Sequence, residues 1–257
     1  MELAPNPFTR ALANGDKQIG LWISLCNNFA AEVVSTAGYD WALIDMEHSA
    51  NDYFSVLGQL QAFAASSTTA LVRVEWNDAV AVKRLLDLGA PGLLFPMIQS
   101  VEEAESAVAA TRYPPRGIRG VSGATRATAF GRIANYPARI EDETAVLLQL
   151  ETRAAVEQAE AIAAVDGVSG IFFGPADIAA DIGKLGKPMD PEVWALIKPA
   201  AQRLIAQGMP VGTLVTDPAF AAALLNEGFT FVAIATDTGL LARAADAALA
   251  QTKGALT

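Results

Sequence analysis

Two carboxylates stand just past apolar runs in this chain. Glu151 closes Val146-Leu147-Leu148-Gln149-Leu150-Glu151, and Asp177 ends Ile171-Phe172-Phe173-Gly174-Pro175-Ala176-Asp177. Acids delivered to one end of a parallel sheet make a site for a hard divalent cation, with water and substrate oxygens filling its other positions. The single histidine, His48, follows a third run in Leu43-Ile44-Asp45-Met46-Glu47-His48. Asp45, three residues earlier, is near enough in sequence to fix the imidazole tautomer and raise its basicity, which would make a general acid/base. Arg73 closes a fourth run, where a guanidinium suits a developing oxyanion or a carboxylate. Each residue has a structural alternative: a hydrogen-bonded histidine, a helix-capping acid, an arginine that neutralises such an acid. Their recurrence at successive run ends favours chemistry.

Other residue types narrow that chemistry. The six lysines (17, 83, 184, 187, 198, 253) all lie outside the apolar runs, which disfavours a Schiff base and favours metal catalysis. Cys26 is the only cysteine, so an intrachain disulfide and a Cys/His zinc cluster are both excluded. The glycines of Gly117-Ile118-Arg119-Gly120-Val121-Ser122-Gly123 lack the strand, helix and lysine context of a phosphate loop and are read as a flexible loop.

The elements that must position these residues are eight short apolar runs: 19–24, 41–45, 71–74, 93–97, 146–151, 171–174, 211–215 and 231–235. Helical patterns lie between them, including 79–88, 101–111 and 191–207. The last starts at Asp190-Pro191 and stops at Gly208. Eight alternating strand and helix units in 257 residues predict an α/β fold, a single (β/α)8 TIM barrel over 1–257. In such a barrel the reactive residues sit at the C-terminal strand ends, here including Trp22, Gln149 and Leu214 beside those above. A short helix over 8–13 is expected to cap the barrel bottom. The long Gly/Pro/Arg-rich excursion over 112–144 is expected to cover a site or form an interface. The alanine-rich helix from Leu240 to Leu249 is expected either to close the barrel or to pack on another subunit.

Composition agrees with one well-buried domain, 52% hydrophobic and 18% charged. A net charge of −10 opposes nucleic-acid binding. The exception is an island of six arginines (112, 116, 119, 126, 132, 139) without an acid among them, read as pairing with acidic neighbours or a second subunit. No apolar stretch approaches the ~20 residues of a membrane span, and the first residues lack a signal-peptide pattern. Together these predict a cytoplasmic chain with no membrane partner.

Several segments resemble the HpcH/HpaI aldolases, metal-dependent class II pyruvate aldolases. They are Trp41 to Ser49 (WALIDMEHS), Val72-Arg73 with Trp76-Asn77-Asp78, Leu85 to Gly89, Pro96-Met97, Arg112 to Gly120 (RYPPRGIRG), Gln149 to Thr152, Gly174 to Asp177, and Asp237-Thr238 with Leu240 to Arg243. The resemblance runs over nearly the whole chain. It implies that Glu151 and Asp177 ligate a divalent metal (Mg2+, Mn2+ or Co2+), and that Arg73 binds the keto oxygen that becomes an enolate. It implies that His48, oriented by Asp45, moves protons with help from a metal-bound water. It further implies that Gln149 either contacts substrate or supports the metal ligands from behind, a site for the pyruvate carboxylate at Gly174, Pro175 and Ala176, and an acceptor pocket near Leu214 with Trp22 and Phe173 as apolar walls. Met46 bears on acceptor size. Asp87 matches an acid that reaches a neighbouring subunit's site, in a homohexamer with exchanged C-terminal helices.

The implied reaction joins a 2-oxo acid to an aldehyde, or cleaves a 4-hydroxy-2-oxo acid, with oxaloacetate decarboxylation as a secondary activity. The alternatives are a lyase of the citrate-lyase or malyl-CoA type, for which the arginines from 112 to 139 are the candidate nucleotide site, and a non-catalytic keto-acid-binding subunit.

Overall fold

The computed structural model describes residues 1–256. After a first helix, α1 (Pro7–Asn14), it runs β1 (Gln18–Ile23), α2 (Asn28–Ser35), β2 (Trp41–Asp45), α3 (Tyr53–Phe63), β3 (Thr69–Arg73), α4 (Ala79–Asp87), β4 (Gly92–Phe95) and α5 (Val101–Thr111). The excursion that follows holds α6 (Tyr136–Arg139) and a 3-10 turn (Ile140–Glu143). The second half comprises β5 (Ala145–Leu150), α7 (Arg153–Glu157), α8 (Ala159–Ala163), β6 (Gly170–Phe173), α9 (Pro175–Asp181), α10 (Pro191–Ala206), β7 (Val211–Leu214), α11 (Pro218–Asn226), β8 (Phe231–Thr236) and α12 (Asp237–Gly254). The strands close in sequence order into an eight-stranded barrel, and each pairs in parallel with its neighbours.

Successive strand residues point to opposite faces, and this parity divides the core in two. Inward residues Trp22, Trp41, Leu43, Leu71, Leu147, Phe172, Phe231 and Ala233 pack with Phe8 and Leu12 of α1, which plugs the bottom as the sequence predicts. Outward residues such as Ile44, Val72, Leu148 and Phe173 pack under the helices. Large rings inside the barrel need space beside them. A Cβ on Gly20 would stand 2.2 Å from Trp41 Cε2, and one on Gly212 would stand 2.2 Å from Phe231 Cε2.

Four sequence expectations are corrected or resolved by this packing. Phe173 has outward parity and lies in the outer core, whereas Phe172 faces the interior. Met46, one residue past inward-facing Asp45, is likewise buried in the outer layer and lines no substrate pocket. The C-terminal helix does not close the barrel: α12 leaves β8, and residues 241–250 are all exposed. Finally, the arginines of 112–139 sit at the N-terminal end of the barrel, opposite the strand ends that carry Glu151 and Asp45. There Arg112 and Arg116 pair with Glu141 and Asp166, Arg119 with Asp87, and Arg139 with Glu2. Arg126 and Arg132 bond main-chain carbonyls. A cavity of about 470 Å³ at this end is lined by Arg112, Arg116, Glu141 and Asp166, which pair with one another, and by Asp142.

Candidate active site

Inward parity continues past the strand ends and gathers the site. Asp45 and Arg73 are register partners on β2 and β3, so both side chains rise into the barrel mouth at the same height. Arg73 Nε donates to Asp45 Oδ1 at 2.8 Å and Nη2 to Oδ2 at 2.7 Å, a two-pronged pair. Trp22 Nε1 also donates to Asp45 Oδ2, at 3.2 Å. On its third nitrogen, Nη1, Arg73 meets Glu47 Oε2 at 2.7 Å, an ion pair outside hydrogen-bond geometry. Arg73 and Asp45 are only 5% and 2% exposed, so this network operates away from bulk water.

The Asp45 carboxylate does not orient the His48 ring as the spacing suggested. Its oxygens are taken by Arg73, Trp22 and the main-chain N–H groups of Glu47 and His48. The imidazole projects outward instead, 66% exposed, with Nε2 3.9 Å from Glu47 Oε1. Glu47 therefore stands between Arg73 and His48, a role that spacing alone did not reveal. The loop beneath is held by Asn51, whose Nδ2 donates to the Asp45 carbonyl at 2.7 Å, and by Gln59, which donates to Asn51 at 2.6 Å.

Electrostatics follow from this packing. Burial would raise the Asp45 carboxyl, but the Arg73 guanidinium holds it below the usual carboxylate range. Burial would lower Arg73, but Asp45, Glu47 and Glu151 together hold it above its ordinary value. Glu47 is raised, chiefly by burial and further by Asp45 and Asp177, against the pull of Arg73 and His48.

Glu151 follows β5 and is 1% exposed. Its Oε2 accepts the Met97 N–H at 2.7 Å, and its Oε1 accepts Gln149 Nε2 at 2.7 Å. Met97 takes the unusual φ of 53°, the kind of local strain that marks positions aimed at a site. Gly174 makes room: a Cβ there would lie 2.8 Å from Glu151 Cγ. Burial pushes the Glu151 carboxyl up to about 8, with neighbouring Asp177 adding to the rise against the Met97 N–H.

Asp177 sits in the first turn of α9, in the wall of the same pocket. Among the described residues, neither acid has a salt-bridge partner, and no group of three or more His, Cys, Asp or Glu converges on a metal position. Glu151, Asp177 and Glu47 lie near enough to act on one another's charge. A buried carboxyl held that high beside a second acid, with the Gln149 Oε1 acceptor buried and unpartnered nearby, fits a hard divalent cation.

The cavity at this end measures about 310 Å³. Its lining includes the sequence candidates Trp22, His48, Arg73, Gln149, Gly174, Pro175, Ala176, Asp177 and Leu214. It also includes Phe172, Pro188, Met189, Val215 and Thr216, which had not been singled out. Parity would have found Phe172. Pro188 and Met189 lie in the loop between α9 and α10, where no periodicity signals direction. Asp87 is at the end of α4, bound to the fully buried Arg119 at 3.1 Å, and does not approach this pocket.

The HpcH/HpaI aldolase/citrate lyase family model matches residues 18–244. The chain is 51% identical to a pyruvate aldolase from Rhizobium etli, over 98% of this chain and 99% of that one. It is 49% identical to a 4-hydroxy-2-oxo-heptane-1,7-dioate aldolase from Salmonella heidelberg, over 96% and 94% of the two chains. Among solved structures it is similar to an HpcH/HpaI aldolase/citrate lyase family protein from Burkholderia cenocepacia, with a TM-score of 0.93 and 38% identity over 96% of this chain and 99% of that one. With this match spanning the whole barrel that carries the Arg73 network and the paired acids, the chain belongs to the HpcH/HpaI aldolase/citrate lyase family and is a carbon–carbon lyase of the aldolase class.

Proposed function

We propose that this chain makes and cleaves 4-hydroxy-2-oxo acids, joining pyruvate or a similar 2-oxo acid, as its enolate, to an aldehyde. The observation that carries this is the placement of Arg73, clamped by Asp45 and Glu47, in one pocket wall with Gln149 and Asp177 and beside Glu151. The names of the relatives, a pyruvate aldolase and a 4-hydroxy-2-oxo acid aldolase, support the same substrate class.

On this reading the roles are as follows. Glu151 and Asp177 would hold a divalent ion, Mg2+, Mn2+ or Co2+, which when bound supplies Lewis-acid stabilisation of negative charge. Arg73, kept cationic by its acids, meets the keto oxygen as charge develops there. Gln149 and the turn at Gly174, Pro175 and Ala176 seat the carboxylate end of the 2-oxo acid. The C3–H bond breaks, its electrons form the enolate, and C3 bonds to the aldehyde carbon while the aldehyde oxygen takes a proton. His48, reaching the pocket from its exposed loop, takes the C3 proton and returns it to that oxygen, with Glu47 facing the ring at 3.9 Å. Cleavage is the reverse.

On the same reading the chain is a cytoplasmic homohexamer, with α12 exchanged between subunits and Asp87 directed to a neighbour's site. The exposed length of α12 supports the exchange. Among the described residues no helix is long and apolar enough to cross a membrane. A lyase that binds a CoA nucleotide through the arginines of 112–139 is disfavoured, because four of them are paired with acids at the opposite end of the barrel.

The test is release of pyruvate from a 4-hydroxy-2-oxo acid, followed by coupled reduction to lactate. Turnover should vanish with chelator and return with Mg2+ or Mn2+. Metal-saturated protein that releases no pyruvate from any such acid would refute the proposal.

A further inference from the structure

Trp22 touches both halves of the Arg73–Asp45 clamp. It stands on β1 with Leu43 of β2 and Thr236 of β8 as register partners, so its indole rises beside Asp45, two residues further along β2. Its Nε1 donates to Asp45 Oδ2 at 3.2 Å, and the Arg73 guanidinium carbon lies 5.1 Å from the centre of the same indole. That separation is within the range of a cation–π attraction.

The donors on Asp45 are shared out unevenly. Its Oδ1 accepts from Arg73 Nε and from the main-chain N–H groups of Glu47 and His48. Its Oδ2 accepts from Arg73 Nη2 and, among the described residues, from one other donor, Trp22 Nε1. Trp22 therefore holds the carboxylate edge that the loop does not reach. The indole is itself fixed from below. Ring centroids run from Trp22 to Phe172 at 5.5 Å, to Phe231 at 6.2 Å and to Phe8 at 5.8 Å, an aromatic column from the mouth to the α1 plug. Burial alone requires some acceptor for an indole N–H. Here the acceptor is the carboxylate that grips Arg73, and a close-packed column cannot follow that carboxylate if it turns.

Resting on the aldolase reading above, we infer that Trp22 is a positioning residue for enolate formation: its N–H and ring face hold Asp45, and through it Arg73, at the keto oxygen of the 2-oxo acid. This task is separate from lining the pocket, because it is performed before any aldehyde arrives. A small displacement of the partner that meets developing charge lowers the rate even where the fold survives.

The experiment follows pyruvate methyl-proton exchange in D2O without aldehyde, using the full chain saturated with Mn2+ and the variants Trp22→Phe and Trp22→His. Phenylalanine keeps an apolar ring and loses the N–H. Histidine sets a ring N–H at the place of the indole nitrogen and loses the benzo half. Trp22→Phe should lower kcat for exchange by about tenfold and change KM for pyruvate by less than about twofold, the pattern for losing one hydrogen bond to a charged group that acts on the transition state. Trp22→His should retain more exchange than Trp22→Phe. A residue that is only an apolar wall gives the reverse order, with its effect on KM for the aldehyde. Exchange in Trp22→Phe equal to the parent's, or Trp22→His no better than Trp22→Phe, would overturn the inference. The indole N–H resonance of Trp22, identified by its absence from either variant, adds a readout independent of turnover: it should move in Arg73→Lys, and an unmoved resonance would also overturn the inference. These results leave the aldolase proposal standing, whereas no exchange by the metal-bound parent defeats that proposal and this inference with it.

Discussion

Arg73 and Asp45 face each other across adjacent strands and are joined by two hydrogen bonds of 2.8 and 2.7 Å, both residues almost wholly buried. This clamp spends two of the guanidinium's nitrogens on orientation, and Glu47 meets the third. Lysine cannot make the same fork. Arg73→Lys should keep the fold but lower kcat by about 10²-fold, the loss typical of a misplaced oxyanion partner. Arg73→Ala, which strands Asp45 in the interior, should cost about 3–5 kcal/mol of stability, read by denaturant unfolding.

Acid should loosen the same clamp. Because Arg73 depresses the Asp45 carboxyl below 3.8 in the folded state, the stabilisation is complete above that value. It is lost as pH falls through the lower folded value. Asp45→Asn should therefore be less stable than the parent at neutral pH, and the difference should shrink in strong acid. Unfolding curves of the two proteins from pH 7 down to about pH 2 would show the convergence.

Glu151 should behave in the opposite sense. Its folded carboxyl is raised from 4.5 to about 8, so the folded chain prefers it protonated. Metal-free protein should lose stability as pH rises from 4.5 toward 8, and Glu151→Gln should remove that slope. Added Mn2+ should raise Tm most at the alkaline end of this window, because only the carboxylate is a ligand. Thermal melts from pH 5 to 9, with chelator and with Mn2+, check both directions.

His48 should matter to turnover and not to folding. Its ring is two-thirds in solvent, so His48→Ala should change stability by no more than about 0.5 kcal/mol. Turnover should fall by about 10²- to 10⁴-fold as the proton carrier is lost. Glu47→Gln, which alters the acid facing the ring and leaves the ring in place, should shift the pH profile of kcat and not simply scale it.

Much of this architecture was legible because buried parallel strands must be apolar on both faces. Each of the eight runs therefore coincides with a strand to within one or two residues, and the helix over Val101–Thr111 is found as expected. The positions of Asp45, Arg73, Gln149 and Glu151 were readable for a related reason: each continues its strand's inward parity to the mouth of the barrel. Misreadings arose where parity was ignored, as at Phe173 and Met46, or where several acids competed for one cation. Spacing showed Asp45 near His48, but it did not show that Arg73 on the adjacent strand would claim both carboxylate oxygens. Met189 and Pro188 were invisible because a loop pinned by one Trp194 hydrogen bond has no repeating pattern to read.

Enolate formation is read without any aldehyde present by proton–deuterium exchange at the methyl group of pyruvate in D2O, followed by NMR. Exchange should require Mg2+ or Mn2+, disappear in Glu151→Ala, and fall sharply in Arg73→Lys. Protein with metal demonstrably bound that leaves the methyl protons in place would contradict the aldolase proposal.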